Sequence, residues 1–372
     1  MEPIRILHVV TSLDRGGLEN MIMNFYRKLD REKVRFDFLV HKRTENGFET
    51  EVESLGGRIF ELPEKRNVKN FRKYLRALEE FFSSHREYKI VHCHINALSA
   101  FPLYAAKRAG VPVRILHSHT SKTETGFKWL FKEVLKPFAR RFCNFRFACS
   151  ESAGRYLFGK RATERGDVII VKNGVDCELF AFDSETRAVM RKRLSLSSDE
   201  TVLCHVGRFD KYKNQGFVVE TLSELKKDGV SARALFLGDG EDFEKVKALS
   251  KMLKVEESVL FAGVVSNVSD YLQAADVFVF PSVFEGFPLT LVEAQANGLF
   301  VFASSAISKE CDLSGRVRFL PLESGAALWA KEIEKEMPFV RRDSAQKIRS
   351  AGYDSAQSAK FLERFYFEKW CL

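Results

Sequence analysis

Two glutamates, Glu285 and Glu293, lie eight positions apart in the segment FEGFPLTLVEAQANG (residues 284–298). The run DVFVFPS (residues 276–282) precedes this segment, and its apolar and β-branched residues predict a buried parallel strand. We expect a loop after that strand and a helix from about Leu289. Glu285 would then lie at the carboxyl end of a strand, where open α/β sheets bind ligands. Glu293 would lie about two turns into the helix and could face the same crevice.

The predicted helix start would carry backbone N–H groups that have no partner inside the helix. Pro288 suits the first helical turn. The amides of Gly286, Phe287 and Leu289 lie beside it. Such donors, together with the positive end of the helix dipole, favour an anionic ligand. The alternative interpretation is a pair of solvated surface acids, because glutamate is mostly exposed in proteins.

Two cations follow another predicted strand, in the segment GRFDKYKNQ (residues 207–215). Arg208 and Lys213 would lie beyond the carboxyl end of that strand, and two fixed cations near a helix start suit a diphosphate. An isolated pair of this kind is usually solvated. The turn LGDGE contains Gly238, which lets the backbone approach a ligand or forms a plain tight turn. A full G-x-G-x-x-G is absent, so the main marker of a dehydrogenase is missing.

Apolar strands alternate with amphipathic helices along the whole chain. Strand or strand-turn patterns occur at residues 4–10, 34–40, 89–94, 113–119, 146–150, 168–174, 201–209, 232–240, 259–265, 276–282, 299–305 and 317–321. This alternation predicts parallel sheets with helices on both faces. We therefore expect an α/β protein of two Rossmann-like domains, residues 1–176 and 177–354, followed by a final helix at residues 355–372.

The net charge of +9 is concentrated in the first half of the chain. There the segment GFKWLFKEVLKPFARRF (residues 126–142) mixes aromatic and basic residues at near-helical spacing. This pattern suits a helix on an anionic membrane surface, and the alternative is a solvated helix with one buried apolar face. A nucleic-acid partner is not expected, because no recognised binding module or stacking platform accompanies the charge.

The cysteines and the first residues of the sequence indicate the cellular compartment of the protein. Seven cysteines are scattered without a C-x-x-C pair, which weakens zinc and dithiol interpretations and fits a reducing compartment. The first residues, MEPIRILHVV, run directly into a strand pattern, and no apolar run is long enough to span a bilayer. We expect a cytoplasmic protein.

The first half contributes glycines and histidines at strand ends. Gly16 and Gly17 in DRGGLEN free the backbone at a helix start, which favours an anion or sugar platform, or simply a tight loop. His117 and His119 flank a serine at the end of a predicted strand. Another histidine pair, within residues 92–94, lies similarly and could face an acceptor.

These motifs resemble the donor site of retaining glycosyltransferases of family 4, whose fold is called GT-B. In that family the first glutamate binds hydroxyls of the transferred sugar and the second holds the nucleotide ribose, so the resemblance gives Glu285 and Glu293 these roles. The spacing of Arg208 and Lys213 resembles the family's diphosphate clamp. Such cations stabilise charge on the leaving diphosphate, so we expect no metal and no other cofactor.

The resemblance extends to the rest of the predicted site. It implies that backbone groups around Val264 and Val265 pair with the base, and that the Gly16–Gly17 pair lies against the donor phosphates and the acceptor. It also implies a histidine that contacts the transferred sugar. We favour His117 for this role, with His119 as the alternative. The two domains are expected to face a central cleft, with the final helix returning to the first domain.

The resemblance implies a retaining transfer of a hexose or N-acetylhexosamine. The donor would be a nucleotide sugar, most simply a UDP sugar, and the acceptor a glycan or a lipid-linked glycan of polysaccharide biosynthesis at the inner membrane face. One alternative is another GT-B enzyme, such as a nucleotide-sugar epimerase or a phosphorylase. The other is a non-catalytic protein that binds nucleotide sugars.

Overall fold

The computed structural model describes residues 2–45, 47–62, 71–119, 127–285 and 287–371. The chain divides into two compact units. Unit 1 comprises Met1–Gly174 and Tyr353–Leu372, and unit 2 comprises Val175–Gly352. The sequence analysis set the corresponding boundaries at residues 176 and 354, within two residues of these.

Unit 1 is built on a seven-stranded sheet. Its strands are β1 (Ile4–Val9), β2 (Val34–Val40), β3 (Ile59–Glu61), β4 (Ile90–Cys93), β5 (Val113–Ser118), β6 (Phe145–Ala148) and β7 (Ile169–Ile170). They pair in parallel in the order β3-β2-β1-β4-β5-β6-β7. Its helices are α1 (Gly17–Lys28), α2 (Glu49–Ser54), α3 (Phe71–Ser84), α4 (Ala100–Arg108), α5 (Phe127–Phe142), α6 (Glu151–Phe158), α7 (Lys160–Glu164) and, from the chain end, α15 (Ser355–Trp370).

Helices cover both faces of this sheet, because the strands are apolar on both sides. One core cluster joins strand residues to α1 and to α15, which contributes Leu362, Phe365 and Tyr366. The opposite cluster joins the sheet to α3, α4, α5 and α6. The carboxylate of Asp354 accepts backbone N–H bonds at the start of α15 and fixes where this helix begins.

Unit 2 is built on a six-stranded sheet. Its strands are β8 (Thr201–Val206), β9 (Ala232–Leu237), β10 (Val259–Phe261), β11 (Val277–Phe280), β12 (Phe300–Ser304) and β13 (Val317–Leu320). They pair in parallel in the order β10-β9-β8-β11-β12-β13. Its helices are α8 (Ser184–Arg193), α9 (Gln215–Lys227), α10 (Phe243–Met252), α11 (Val268–Ala274), α12 (Leu289–Ala296), α13 (Gly325–Lys335) and α14 (Ala345–Ser350).

Two parallel sheets with helices on their faces confirm the predicted class of two Rossmann-like domains. The three-residue strand β3 was not predicted from the sequence, since it is too short to show a period. Within the described part of the chain, every helix is too short or too polar to cross a membrane.

The turn after β9 requires glycines because another backbone segment passes very close to it. Gly238 has a φ of +133°, and a Cβ placed on it would lie 2.1 Å from the Gly207 carbonyl oxygen. A Cβ on Gly240 would lie 2.2 Å from the Phe209 carbonyl oxygen. The loops after β8 and β9 therefore lie directly against each other, which only residues without a side chain permit.

Replacement of Gly238 by alanine should destabilise unit 2 strongly. The matched control is Gly229→Ala, because Gly229 has a φ of +84° but open space around it. The control carries backbone strain alone, about 1–2 kcal/mol, whereas Gly238→Ala adds a clash with backbone. Urea unfolding followed by circular dichroism measures both variants. Equal losses of unfolding free energy would contradict the proposed close approach.

Candidate active site

Two strand-end loops meet at the carboxyl edge of the unit 2 sheet, because β8 and β11 are neighbours there. Lys213 lies in the loop after β8 and Glu285 in the loop after β11. The Lys213 Nζ lies 2.6 Å from the Glu285 Oε1, and each side chain is 18% exposed. The Val283 N–H also donates to the Tyr212 carbonyl at 2.8 Å. The structure thus brings together a cation and an acid that the sequence analysis assigned to one site.

Glu293 lies on α12, the helix that follows this loop. Burial raises the pKa of its carboxyl to about 7, and the charge of the Lys213 ammonium partly opposes that rise. A single lysine therefore lies within electrostatic reach of both glutamates. A pKa near 7 keeps part of the Glu293 carboxyl population protonated at neutral pH, and the protonated form can donate as well as accept a hydrogen bond.

Arg208 lies in the same loop as Lys213, and its side chain is exposed. The Gln215 Nε2 donates to the Arg208 carbonyl at 2.9 Å, which holds the loop on the first turn of α9. No ion pair involves the Arg208 guanidinium within the described ranges. Its N–H donors are therefore available to a ligand beside the Lys213–Glu285 pair.

The start of α12 presents further donors. Pro288 is the N-cap residue of this helix, and no side chain makes a capping hydrogen bond there. The first amide bonded to the Pro288 carbonyl is that of Leu291, at 3.2 Å, so the amides of Leu289 and Thr290 precede the helical hydrogen bonds. Phe287 lies in the turn before the helix, and the predicted site residue Gly286 lies outside the described residues.

Two hydroxyl groups near this helix start were missed by the sequence analysis. The Ser282 Oγ at the end of β11 and the Thr290 Oγ1 at the start of α12 are buried without a hydrogen-bond partner. A buried hydroxyl without a partner is costly, so each points to a ligand or water at this position. A polar residue that interrupts an apolar strand end, as Ser282 does, is the signal that could have revealed them.

Gly238 and the predicted base-binding residues Val264 and Val265 follow neighbouring strands of the same sheet. Gly238 follows β9, and Val264 and Val265 follow β10, the edge strand. The Gly238 N–H donates to the Gly263 carbonyl at 2.8 Å, which joins the two loops. The Val264 side chain is 68% exposed, so this backbone is open to solvent and to a ligand.

The Glu19 carboxyl group lies against the predicted Gly16–Gly17 platform of unit 1. Gly16 precedes α1 and Gly17 is its first residue, with no side-chain cap. A Cβ on Gly16 would lie 2.5 Å from the Glu19 Oε2, so the Glu19 side chain folds back over the helix start. Burial raises the pKa of Glu19, and the nearby Asp14 adds to the rise. This arrangement suits a hydroxyl group better than a phosphate, because a carboxylate repels an anion.

The two candidate histidines differ in exposure. His117, the residue favoured from the sequence, is 1% exposed within the sheet of unit 1, whereas His119 at the end of β5 is half-buried. His92 and His94 are 1% and 3% exposed, and that they could face an acceptor stays a prediction. Strand register, which the sequence does not display, places them on the same sheet face as His117.

Comparison with known proteins identifies the family. Residues 15–179 match the model described as Glycosyltransferase Family 4, and residues 186–314 match the model described as Glycosyl transferases group 1. The chain is 33% identical over 377 residues to the putative glycosyltransferase EpsF of Bacillus subtilis, covering 97% of this chain and 96% of that protein. The chain belongs to glycosyltransferase family 4.

Two further proteins resemble this family 4 glycosyltransferase. The UDP-Gal:alpha-D-GlcNAc-diphosphoundecaprenol alpha-1,3-galactosyltransferase of Escherichia coli is 26% identical over 318 residues, covering 83% of this chain and 81% of that protein. The crystal structure of Anabaena Alr3699/HepE in complex with UDP and glucose matches with a TM-score of 0.77 at 18% identity, covering 98% of this chain and 100% of that one. This structural likeness concerns the fold alone, and it confirms the GT-B class.

Ionisation of Glu293 should make the ligand-free protein less stable as the pH rises. Its folded-state pKa of about 7 exceeds its ordinary value of 4.5, so the folded protein holds the proton more tightly. The resulting stability is present below pH 4.5 and is lost as the pH passes 7. Glu293→Gln should therefore raise the free energy of unfolding by about 2–3 kcal/mol at pH 8.5 and change it little at pH 5.

Urea unfolding at the two pH values measures this difference, and Glu257→Gln on the surface is the control. A gain from Glu293→Gln that is equal at both pH values would show that ionisation of this carboxyl is not its cause.

Proposed function

We propose that the protein is a retaining, metal-independent glycosyltransferase. It moves a hexose or N-acetylhexosamine from a UDP sugar to a glycan or lipid-linked acceptor of polysaccharide biosynthesis. Membership of family 4 supports the transferase activity. The observation that carries the proposal is the contact between Lys213 and Glu285 beside the uncapped start of α12.

Donor binding begins with an exchange of ionic partners. In the ligand-free protein the Lys213 ammonium neutralises Glu285. A diphosphate carries more charge and more acceptor oxygens than one carboxylate, so Lys213 moves to the diphosphate, together with Arg208. The amides and the Thr290 hydroxyl at the start of α12 complete this site. Glu285, released from the ion pair, accepts hydrogen bonds from sugar hydroxyls.

Glu293 holds the ribose in this proposal. Its carboxyl is buried, and a buried carboxyl gains from two well-placed hydroxyl donors. The backbone at Val264 and Val265 pairs with the base, at the open edge of the sheet. The E. coli relative is named for UDP-galactose and the Anabaena structure contains UDP, which supports uracil as the base.

The transfer step breaks the bond between the anomeric carbon and the diphosphate oxygen. The acceptor oxygen bonds to that carbon from the same face, and its proton passes to the leaving diphosphate oxygen, so configuration is retained. Arg208 and Lys213 stabilise the negative charge that develops on the diphosphate, which is the task of a metal ion in other transferases. His119 contacts the transferred sugar in this proposal, because it is the more accessible of the two candidate histidines.

The surface of helix α5 supports the proposal of a membrane-bound acceptor. Helix α5 contains five basic residues and one acid. Its Leu135 and Ala139 are buried in unit 1. Three apolar side chains at helical spacing are instead exposed: Phe131 at 52%, Val134 at 56% and Phe138 at 49%. An outward apolar stripe on a basic helix suits an anionic membrane surface, and the E. coli relative is named for an undecaprenol-linked acceptor.

Glu285→Gln should abolish most transfer while sparing nucleotide binding. The variant keeps a hydrogen-bonding side chain but loses the carboxylate, so we expect kcat/KM to fall by about 100-fold or more. The affinity for UDP should remain within a few-fold, because the diphosphate is held by Arg208 and Lys213. The assay follows UDP release and glycan transfer with a panel of UDP and GDP sugars, in EDTA.

Glu257→Gln serves as the surface control. Undiminished transfer by Glu285→Gln would remove the role assigned to that residue. A requirement for added Mg²⁺ would refute metal independence, and sugar interconversion or phosphorolysis without transfer would support the alternative GT-B enzymes. Binding of UDP sugars without any turnover would support a non-catalytic protein.

The exposed stripe of α5 should be required for membrane binding. The double variant Phe131→Ser, Phe138→Ser removes two aromatic side chains that would enter the lipid boundary, so vesicle affinity should fall by about tenfold or more. Co-sedimentation with phosphatidylglycerol-containing vesicles measures the effect. Leu179→Ser, at a side chain that is 59% exposed in unit 2, is the control. Unaltered binding by the double variant would exclude this helix as the membrane contact.

A further inference from the structure

Five of the eight histidines form one cluster on a single face of the unit 1 sheet. They are His8 on β1, His92 and His94 at the end of β4, and His117 and His119 at the end of β5. The pairing of β1 with β4 sets His8 opposite His92, and the pairing of β4 with β5 aligns the other three on the same face. Four of the five are no more than 3% exposed.

The cluster consists of two hydrogen-bonded chains that run across the strands. In the first, the His8 Nδ1 lies 2.9 Å from the His94 Nε2, and the His94 Nδ1 lies 2.8 Å from the His119 Nε2. In the second, the Tyr366 hydroxyl lies 2.8 Å from the His92 Nδ1, and the His92 Nε2 lies 3.0 Å from the His117 Nδ1. We call the second one the Tyr366 chain.

Clustered histidines often bind metal, and two triads here, His8/His92/His94 and His94/His117/His119, have ring nitrogens within 4.8 Å of one another. Between His92 and His117, however, the ring geometry favours a hydrogen bond. The His92 and His117 rings are inclined by only 17° with centres 5.1 Å apart, while two of their nitrogens approach to 3.0 Å. This combination means that the rings meet edge to edge, with the nitrogens pointing at each other. Tetrahedral zinc ligands, at about 2.0–2.1 Å from the metal, would be about 3.3 Å apart and would converge on a common point.

Each imidazole in the cluster is neutral at physiological pH. Burial lowers the pKa of His8 and of His119 to about 3 and lowers the pKa values of the other three well below the ordinary range. A neutral imidazole has one N–H donor and one bare acceptor nitrogen. In a hydrogen-bonded chain, the proton position on one ring therefore fixes the proton position on the next.

Tyr366 determines in which direction the hydrogen bonds of the Tyr366 chain run from donor to acceptor. The side chain is fully buried, and burial raises the pKa of its phenol, so it keeps its proton. If the phenol donates to the His92 Nδ1, the chain leaves one buried group unpaired, an N–H on the His117 Nε2. The opposite direction leaves two unpaired, the phenol O–H and the bare His117 Nε2. An unpaired buried group is costly, so the first direction prevails by about fivefold or more.

We propose that Tyr366 and His92 are positioning residues, which hold His117 with its proton on Nε2 and so present an N–H donor to an oxygen atom of the substrate. The inference rests on the proposed function, in which the neighbouring His119 contacts the transferred sugar. The His117 and His119 ring centres are 4.0 Å apart, so an oxygen bound at one lies close to the other. Among the described residues, no hydroxyl is bonded to the end of the first chain, so Tyr366 is the group that gives this cluster a direction.

The proton positions can be measured directly on the full-length protein. With ¹⁵N-labelled histidine, two-bond ¹H–¹⁵N correlation spectra distinguish an imidazole protonated on Nε2 from one protonated on Nδ1. We expect His92 and His117 both to be protonated on Nε2 in the wild type, without substrate and without added metal. A proton on the His117 Nδ1, or zinc or nickel bound by these imidazoles, would overturn the proposal.

Tyr366→Phe removes the hydroxyl with little change in shape. Neither direction is then favoured, so the Nε2-protonated form of His117 should fall to roughly half, and kcat should fall about twofold with the KM for the donor unchanged. Tyr74→Phe is the matched control, because the buried Tyr74 hydroxyl lies 2.7 Å from the His41 Nε2 outside the cluster. It should leave His117 unaltered.

An unchanged His117 proton position in Tyr366→Phe would refute the role of Tyr366. An inactive wild type that nevertheless shows the expected proton positions would contradict the proposed transferase function and would leave the assignment of the chain supported.

Discussion

The contact between Lys213 and Glu285 depends on one constraint, the adjacency of β8 and β11 in the unit 2 sheet. Parallel strands that are neighbours bring their carboxyl-end loops to the same place, so the two side chains meet although 71 residues separate them in the sequence. The contact leaves Arg208 exposed in the same loop and brings Glu293 within reach of the lysine charge. The electrostatics of the whole unit 2 site follow from this adjacency.

Several polar groups of the unit 2 site lower the stability of the folded protein. The Glu293 carboxyl is buried with one nearby cation, and the hydroxyls of Ser282 and Thr290 are buried without partners. A sheet edge designed only for packing would carry apolar groups at these positions. Unit 1 shows a related feature at its own carboxyl edge, where five imidazoles occupy a face that is otherwise aliphatic and aromatic. In both units the costly polar groups gather at strand ends.

The sequence was sufficient to predict the fold class, most strands and the placement of Lys213 and Glu285 in loops of one crevice, because strand–helix alternation and loop position are local signals. The ion pair between these two side chains was not predicted. It was insufficient for features that depend on how strands and loops lie against one another in three dimensions. The burial of His92 and His117 follows from strand register, and Gly238 serves a backbone approach to Gly207 that no local pattern reveals. The fold-back of Glu19 over Gly16 likewise depends on a side-chain conformation rather than on residue type.

Helix α15 gives the chain an order of assembly. The sheet of unit 1 precedes unit 2 in the chain, yet the apolar face that Leu362, Phe365 and Tyr366 cover can be closed only after unit 2 has been made, because α15 follows it. While the ribosome translates unit 2, that face stays open to water and to chaperones. A stop codon shortly before α15 would keep every residue of unit 2 but would leave this apolar face of unit 1 uncovered, which favours aggregation of the truncated protein.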